Sequence, residues 1–435
     1  MTDDDWWTLL IVAVCVALVA ASIGAVAMWG PIPTVSISSH SPDSSSLDDF
    51  DTASITGENV TVGVIDATGF DTEHPTLNGH VTATHAFGSE PTVRNRGQNG
   101  HGTAAAATVN RVAPNASLVL ATFDSPRGFR DAVNWMIESN VDVIVAPVSF
   151  LGTAGDGSSL ISRVATRATL EGVVFVASAG NLARGHWSGQ YDTVRNGTLQ
   201  FGADRRLYLS GDDRRITVWL SWPERFRSHD YTAELYRTGG GRTTLIARSQ
   251  PYHGDNTPNE RFVVRTRPGG IYHVVVRGPQ NATHVPLELS SPTHDFRQPT
   301  PSGSLTAPAT APGVLTVGAL DPNTGRLEPF SSRGPTSDGR LGVDVVAPDR
   351  GVSPTFEGRF IGSSVSAPYA GGVAALVLSV DPDQSPREVE VLLEQTATDI
   401  GKPNADPATG YGKLNPTAAV RAAANETNGT AQTDV

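Results

Sequence analysis

Val173-Val-Phe-Val-Ala-Ser-Ala-Gly-Asn181 is the stretch on which the fold turns. It is a compact, β-branched-rich apolar run, and it reads as a short buried strand that delivers an amide side chain at its end. The pattern recurs in Val60-Thr-Val-Gly-Val-Ile65, which ends in Asp66 and a Gly-containing turn, in Ser117 to Phe123 and in Val141 to Ser149. Helical patterns lie between these runs, at Arg127 to Ser139 and at Ser158 to Glu171, the second stopped by Gly172. Strands alternating with helices predict an α/β fold, a parallel sheet with helices on both faces. In such sheets active groups gather beyond the carboxyl ends of the strands.

The pattern changes after Asn181. From about Trp187 to Phe296 the helical periodicity disappears. Alternating runs replace it at Leu207 to Leu209, Arg215 to Trp222, Thr232 to Tyr236, Arg261 to Thr266 and Ile271 to Arg277. Turns such as Gly239-Gly240-Gly241 and Pro268-Gly269-Gly270 separate them, the signature of a small antiparallel β-sandwich. The αβ style returns at Gly313-Val-Leu-Thr-Val-Gly318, so the sandwich is an insertion inside the first domain. Ser385-Pro386-Arg387-Glu388 is a helix start, with a capping serine, proline at the first position and a glutamate to return a bond. The expected organisation is an N-terminal anchor (1–30), a polar stalk (31–54), an α/β domain in two parts (55–186 and 299–422), an inserted lobe (187–298) and a polar tail (423–435).

The anchor is read from Thr8 to Met28, which carries no charge and is bracketed by Trp6, Trp7 and Trp29. Twenty-one residues span about 31 Å as a helix, close to the hydrocarbon thickness of a bilayer. Indole rings suit both interfaces. A cleaved signal peptide would carry a basic start and a shorter apolar core, whereas this chain opens Met1-Thr2-Asp3-Asp4-Asp5. No Lys or Arg precedes Arg94, so charge does not orient the span. The Ser-, Pro- and Asp-rich stretch from Pro31 to Asp51 and six N-x-S/T sequons (at Asn59, Asn115, Asn196, Asn281, Asn425 and Asn428) point to an external bulk. The expectation is a single-pass protein of the cell membrane with its domains outside.

At 435 residues the chain is long enough for two cores. A net charge of −12 gives no sign of the basic face that nucleic acid demands. Lys402 and Lys413 are the two lysines, and the other 30 basic residues are arginines. An acidic, lysine-poor composition is similar to that of proteins from salt-loving microbes, although a GC-rich genome gives a related bias. The single cysteine, Cys15, lies in the apolar run and excludes an intramolecular disulfide.

Hydrolysing an amide at neutral pH needs an activated nucleophile, a base and donors for the oxyanion. Four segments offer such groups. Val62-Gly-Val-Ile-Asp66 places a carboxylate directly after a strand, and Asn99-Gly100-His101-Gly102-Thr103 presents an imidazole between glycines. The strand opened on above delivers Asn181. Gly362-Ser363-Ser364-Val365-Ser366-Ala367-Pro368 sets three serines at the start of a small-residue helix. Each alone has a bland reading: a turn aspartate, a loop histidine, a left-handed asparagine, a capping serine.

Together, and in this order, the four blocks resemble those of the subtilisin-like serine peptidases, the subtilases, whose triad runs Asp, His, Ser. Phe330-Ser-Ser-Arg-Gly-Pro335 and Val343-Asp-Val-Val-Ala-Pro348 also look familiar. The resemblance covers roughly Asn59 to Asn181 and Ala311 to Asn415. It implies a subtilisin-like fold and a serine endopeptidase acting on peptides or proteins through Asp66, His101 and Ser364, with Asn181 in the oxyanion hole. Ser364 is chosen because the family's proline stands four residues after the nucleophile, and here that proline is Pro368.

Ser149-Phe150-Leu151-Gly152 stands where the family has a backbone strip for extended substrate. Leu151 replaces a glycine there, which predicts a narrowed pocket. The turn Ala67-Thr68-Gly69 is one residue longer than common, and Ala104 replaces a frequent second histidine. No cofactor is implied and no metal ligand is assigned, although calcium supports many subtilases. Alternatives at this point are a catalytically silent binding or adhesion protein on the same fold, and peptide ligation by the same acyl-enzyme chemistry. Oligomeric state is not legible.

Overall fold

The structure, a computed structural model, describes residues 55–95, 100–192, 197–252, 258–267, 269–282, 284–351 and 360–431. The expected membrane span, the stalk and Cys15 lie outside the described residues. Among the described residues one helix is long and apolar enough to cross a membrane, Ser363–Val380, and it is a core helix with 83% of its span buried.

The first part of the chain supplies strands β1 (Thr61–Ile65), β2 (Val81–Phe87), β3 (Ser117–Phe123), β4 (Val143–Ala146) and β5 (Val174–Ser178). Helices α1 (His101–Val112), α2 (Pro126–Glu138) and α3 (Leu160–Leu170) alternate with them. The last part supplies β16 (Leu315–Asp321), β17 (Arg326–Leu327) and β18 (Val345–Pro348), then α4 (Ser363–Val380), α5 (Pro386–Thr396) and α6 (Pro416–Ala431). They form an eight-stranded sheet in the order β17-β16-β5-β4-β1-β3-β2, with β18 beside β16. Pairing is parallel except for the short β16–β17 hairpin.

The β-branched runs are strands because both of their faces are covered. Val62, Val64, Val145 and Val176 pack with α1 and α4, while Ile65, Ile144 and Phe175 pack with α2 and α3. Ser125 and Ser159 cap α2 and α3 by accepting from Gly128 N–H and Ser162 N–H, and α5 opens with the expected Ser385/Glu388 capping box. Gly63 admits α2: a Cβ there would lie 2.5 Å from Met136 Sδ. Strand β4 stops at Ala146, short of the expected Ser149, because Pro147 has no N–H for the ladder. Strand β2 went unread in the sequence, being half-exposed and thus lacking a continuous apolar run. Helix α6 continues to Ala431, past the expected start of a polar tail at 423.

Between β5 and β16 the chain forms β6 (His186–Tyr191), β7 (Leu207–Ser210), β8 (Arg215–Ser221), β9 (Thr232–Gly239), β10 (Arg242–Arg248), β11 (Gln250–Pro251), β12 (Asn259–Arg265), β13 (Ile271–Arg277), β14 (Val285–Ser290) and β15 (Asp295–Phe296). They make two five-stranded sheets, β10-β9-β13-β7-β15 and β11-β12-β8-β14-β6, paired antiparallel throughout. Their inner faces share one core, with Ile216, Val218 and Leu220 of β8 and Leu235, Val274 and Val276 of the other sheet. Alternation therefore turns Thr217 and Trp219 outward.

Candidate active site

Asp66 is the first residue beyond β1, and its N–H still bonds Ala121 O at 3.0 Å. Its carboxylate is 1% exposed and fully engaged. Oδ1 accepts from the Thr68 N–H (2.8 Å) and hydroxyl (2.7 Å), and Oδ2 lies 2.6 Å from His101 Nδ1. A carboxylate can only accept, so Nδ1 carries the proton and Nε2 is the basic nitrogen of the neutral ring.

His101 opens α1, and the next two residues hold it there. A Cβ on Gly102 would sit 2.4 Å from Gly69 O and 3.0 Å from Asp66 Cβ, so only glycine lets the helix meet the Asp66 turn this closely. The Gly102 N–H donates to the Thr68 hydroxyl at 3.0 Å, and Thr103 Oγ1 accepts from Asp71 N–H at 2.9 Å. Thr68 ties both partners together, a duty that sequence reasoning missed. The available signal was a hydroxyl two residues after the aspartate.

The edge of the His101 ring meets Phe360 at 5.0 Å and 89°, which brings the imidazole to the chain entering α4. There the three candidate serines separate. Ser363, 1% exposed, accepts from Gly180 N–H (3.2 Å) and donates from Oγ to Asn181 Oδ1 (3.1 Å). Ser366, fully buried, donates to Ala347 O at 2.9 Å. Ser364 is half-buried, and its hydroxyl has no hydrogen bond among the described residues. Pro368 lacks the N–H that would close the helical bond to the Ser364 carbonyl.

Asn181 follows β5. Its Oδ1 accepts from the Ser363 N–H at 3.0 Å as well as from the Ser363 hydroxyl, which fixes the amide with Nδ2 on its other side. Gly362 has φ +132°, and a Cβ there would lie 2.7 Å from Asn181 Nδ2, so two constraints select glycine. Ser332 braces the same turn, donating its N–H to Gly180 O and accepting from Leu182 N–H, both at 2.9 Å. The subtilase family model, peptidase S8, matches residues 57–210 and 294–412.

The chain belongs to the subtilase family. The lobe strands from Asp212 to Thr293 fall between the two matched stretches. M-protease of Shouchella clausii is 36% identical over 124 residues, 28% of this chain and 30% of that protein. Tripeptidyl-peptidase 2 of Arabidopsis thaliana is 39% identical over 123 residues, 26% of this chain and 9% of that protein. The chain thus covers less than a third of the length of these two relatives. The CspB protease of Clostridium perfringens aligns with a TM-score of 0.63 over 86% of this chain and 95% of that one, at 19% identity, a likeness of fold alone.

In this subtilase the Ser149–Gly152 strip leaves β4 beside the Asn181 turn. Thr306 Oγ1 bridges Ser149 Oγ (2.9 Å) and Ala179 O (3.5 Å). Phe150 turns its ring into the core, 5.7 Å from Phe123 and 5.1 Å from Phe129, and gives its N–H to Ala307 O at 2.9 Å. Leu151 is half-buried. Gly152, at φ +71°, gives its carbonyl to Asn259 Nδ2 of the lobe at 2.9 Å.

Away from this turn, Asp344, Glu390 and Glu394 bring carboxylate oxygens within 4.8 Å of one another. Arg387 supplies countercharge, 2.6 Å from Glu390 and 3.8 Å from Glu394, so no ion is assigned. Burial, reinforced by Glu390, holds Asp344 well above the usual carboxylate range and pushes Glu394 up to about 7. A raised carboxyl favours the folded state while protonated. Stability is lost as pH rises from the unfolded value of about 4.5 towards 7, because the unfolded state ionises first. The melting temperature should therefore fall across pH 4.5–7, and Glu394→Gln should flatten that slope; an unchanged slope would show that the cluster does not set it.

Proposed function

We propose that this subtilase is a serine endopeptidase that hydrolyses peptide bonds of peptide or protein substrates, with Ser364 as nucleophile, His101 as general base and Asp66 as the orienting acid. The 2.6 Å bond from His101 Nδ1 to a doubly anchored Asp66 carries the reading, because it leaves Nε2 basic and aimed by a fixed partner. Ser364 Oγ attacks the scissile carbonyl as Nε2 takes its proton. Asp66 stabilises the imidazolium, which then returns the proton to the leaving amine. Asn181 Nδ2 and the Ser364 N–H donate to the oxyanion, and water attack on the acyl-enzyme completes the turnover. A fluorophosphonate should label the protein at one serine and stop peptide cleavage; an unlabelled protein would sink the reading.

Leu151 on the substrate strip supports a preference for small or modest side chains at the cleavage site. A substrate panel cleaved fastest after Phe or Tyr would contradict this. The uncharged run Thr8–Met28 supports a single-pass anchor with the enzyme outside the cell, and recovery of the full-length protein in the soluble fraction would argue against it. The acidic, lysine-poor composition supports a halophilic origin, and maximal activity without salt would oppose that.

A further inference from the structure

The inserted lobe reverses the charge of the chain that carries it. Residues 187–298 hold 15 arginines against 11 acidic residues, whereas the whole chain has a net charge of −12. Several of these arginines line one surface, the outward face of β8 and β12. Register places Trp219 opposite Arg261, Thr217 opposite Val263 and Arg215 opposite Arg265.

One end of this ladder is docked on the substrate strip. Trp219 points out of the lobe yet is 3% exposed, because it lies over Gly152, where an added Cβ would be 2.6 Å from its Cε3. Asn259 holds the Gly152 carbonyl in the same place. The Arg261 guanidinium is stacked over Trp219 at 5.1 Å and Tyr252 at 4.5 Å, which fixes the other half of this rung.

The other end is open. Val263 and Arg265 are exposed and Arg215 is half-buried, with exposed Arg214 and Arg267 beside them. None of these four arginines forms an ion pair among the described residues. Asp213, in the turn before β8, spends Oδ1 on the Arg215 N–H. Like charges directly opposite on a sheet destabilise it, so the Arg215/Arg265 rung costs stability that no ion pair among the described residues offsets. Among the described residues of this face the carboxyl is Glu288, opposite Ser221 at the docked end, and burial pushes it up to about 7.

We propose that this face is an exosite for an acidic, extended segment of the protein substrate, with Arg215 and Arg265 receiving its carboxylates. The proposal rests on the peptidase reading and names the substrate class. Arg215 stands four positions before Trp219, about 14 Å along the strand. An extended chain leaving the strip reaches the arginines after about four to six residues. Guanidinium–carboxylate forks give the charge selectivity.

The test compares two peptides with one cleavable core, carrying either three glutamates or three glutamines four to six residues from the scissile bond. Pairs are made with the segment on each side. With the wild-type enzyme kcat/KM should favour the glutamate peptide of one pair about 5- to 10-fold, and added salt should shrink that ratio. General effects of salt on the enzyme cancel in the ratio. The Arg215→Gln/Arg265→Gln double variant should lose the preference while cleaving the glutamine peptide at the wild-type rate. Fluorescence anisotropy on Ser364→Ala protein reads binding without cleavage. Tighter binding of the glutamate peptide there, with neither peptide cleaved by the wild type, would keep the exosite and discard the peptidase. Equal cleavage and equal binding of both peptides in both pairs, or a preference untouched by the double variant, would overturn the exosite.

Discussion

Ser364→Ala should lower kcat for peptide hydrolysis about a millionfold and abolish fluorophosphonate labelling. Subtilisin, a member of this family, loses about that much when its nucleophile is removed. The structural argument concerns which serine is meant. Ser363 and Ser366 have committed hydroxyls, one joining Gly180 to Asn181 and the other bonded to Ala347 O. Ser366→Ala should retain labelling. Labelling that survives Ser364→Ala and disappears in Ser363→Ala would move the nucleophile by one residue. Asp66→Asn follows from the same geometry. Thr68 presents two donors to one side of residue 66, so an asparagine must turn its oxygen there and its NH2 towards His101. Nδ1 would then have to accept, the proton would move to Nε2, and the base would be lost. The equivalent change in a serine protease of an unrelated fold with the same triad costs about 10,000-fold in kcat. Asp66→Asn with near-normal turnover would refute the orienting role.

The sheet and the site were legible to different degrees, for physical reasons. Buried parallel strands must be apolar on both faces, so β1, β3, β4 and β5 stood out as continuous runs, and each site residue after a strand could be numbered. Gly102 also registered, because a glycine beside a histidine allows close backbone approach, whereas the contact that demands Gly362 joins it to Asn181 and leaves no local trace. Strand β2 and lobe strand β10 did not stand out, since half-exposed strands dilute their apolar signal, and β14 did not because Pro286 interrupts it. The bridging roles of Thr68 and Ser363 were unread for another reason. A hydroxyl that bridges two segments is chemically indistinguishable, in a sequence, from a hydroxyl facing water. The contact between Gly152 and Trp219 joins residues 67 positions apart and has no local trace at all.

Asn181→Leu should reduce kcat about 100- to 1,000-fold with KM nearly unchanged, a range likewise taken from subtilisin. An oxyanion donor acts on charge that develops in the transition state, so its loss is felt in turnover rather than in substrate binding. If Asn181 is that donor, Ser363 aims it. Its N–H and hydroxyl both engage Asn181 Oδ1, and the planar amide then has one orientation for Nδ2. Ser363→Ala removes the hydroxyl and keeps the N–H, so the amide stays pinned by one bond and kcat should fall only about tenfold, the worth of a single hydrogen bond. Asn181→Asp keeps the acceptor for Ser363 but sets a carboxylate oxygen where a donor is required, and it should be at least as inactive as Asn181→Leu. If Asn181→Leu raised KM and spared kcat, the side chain would be holding substrate, and the oxyanion hole would have to be sought elsewhere.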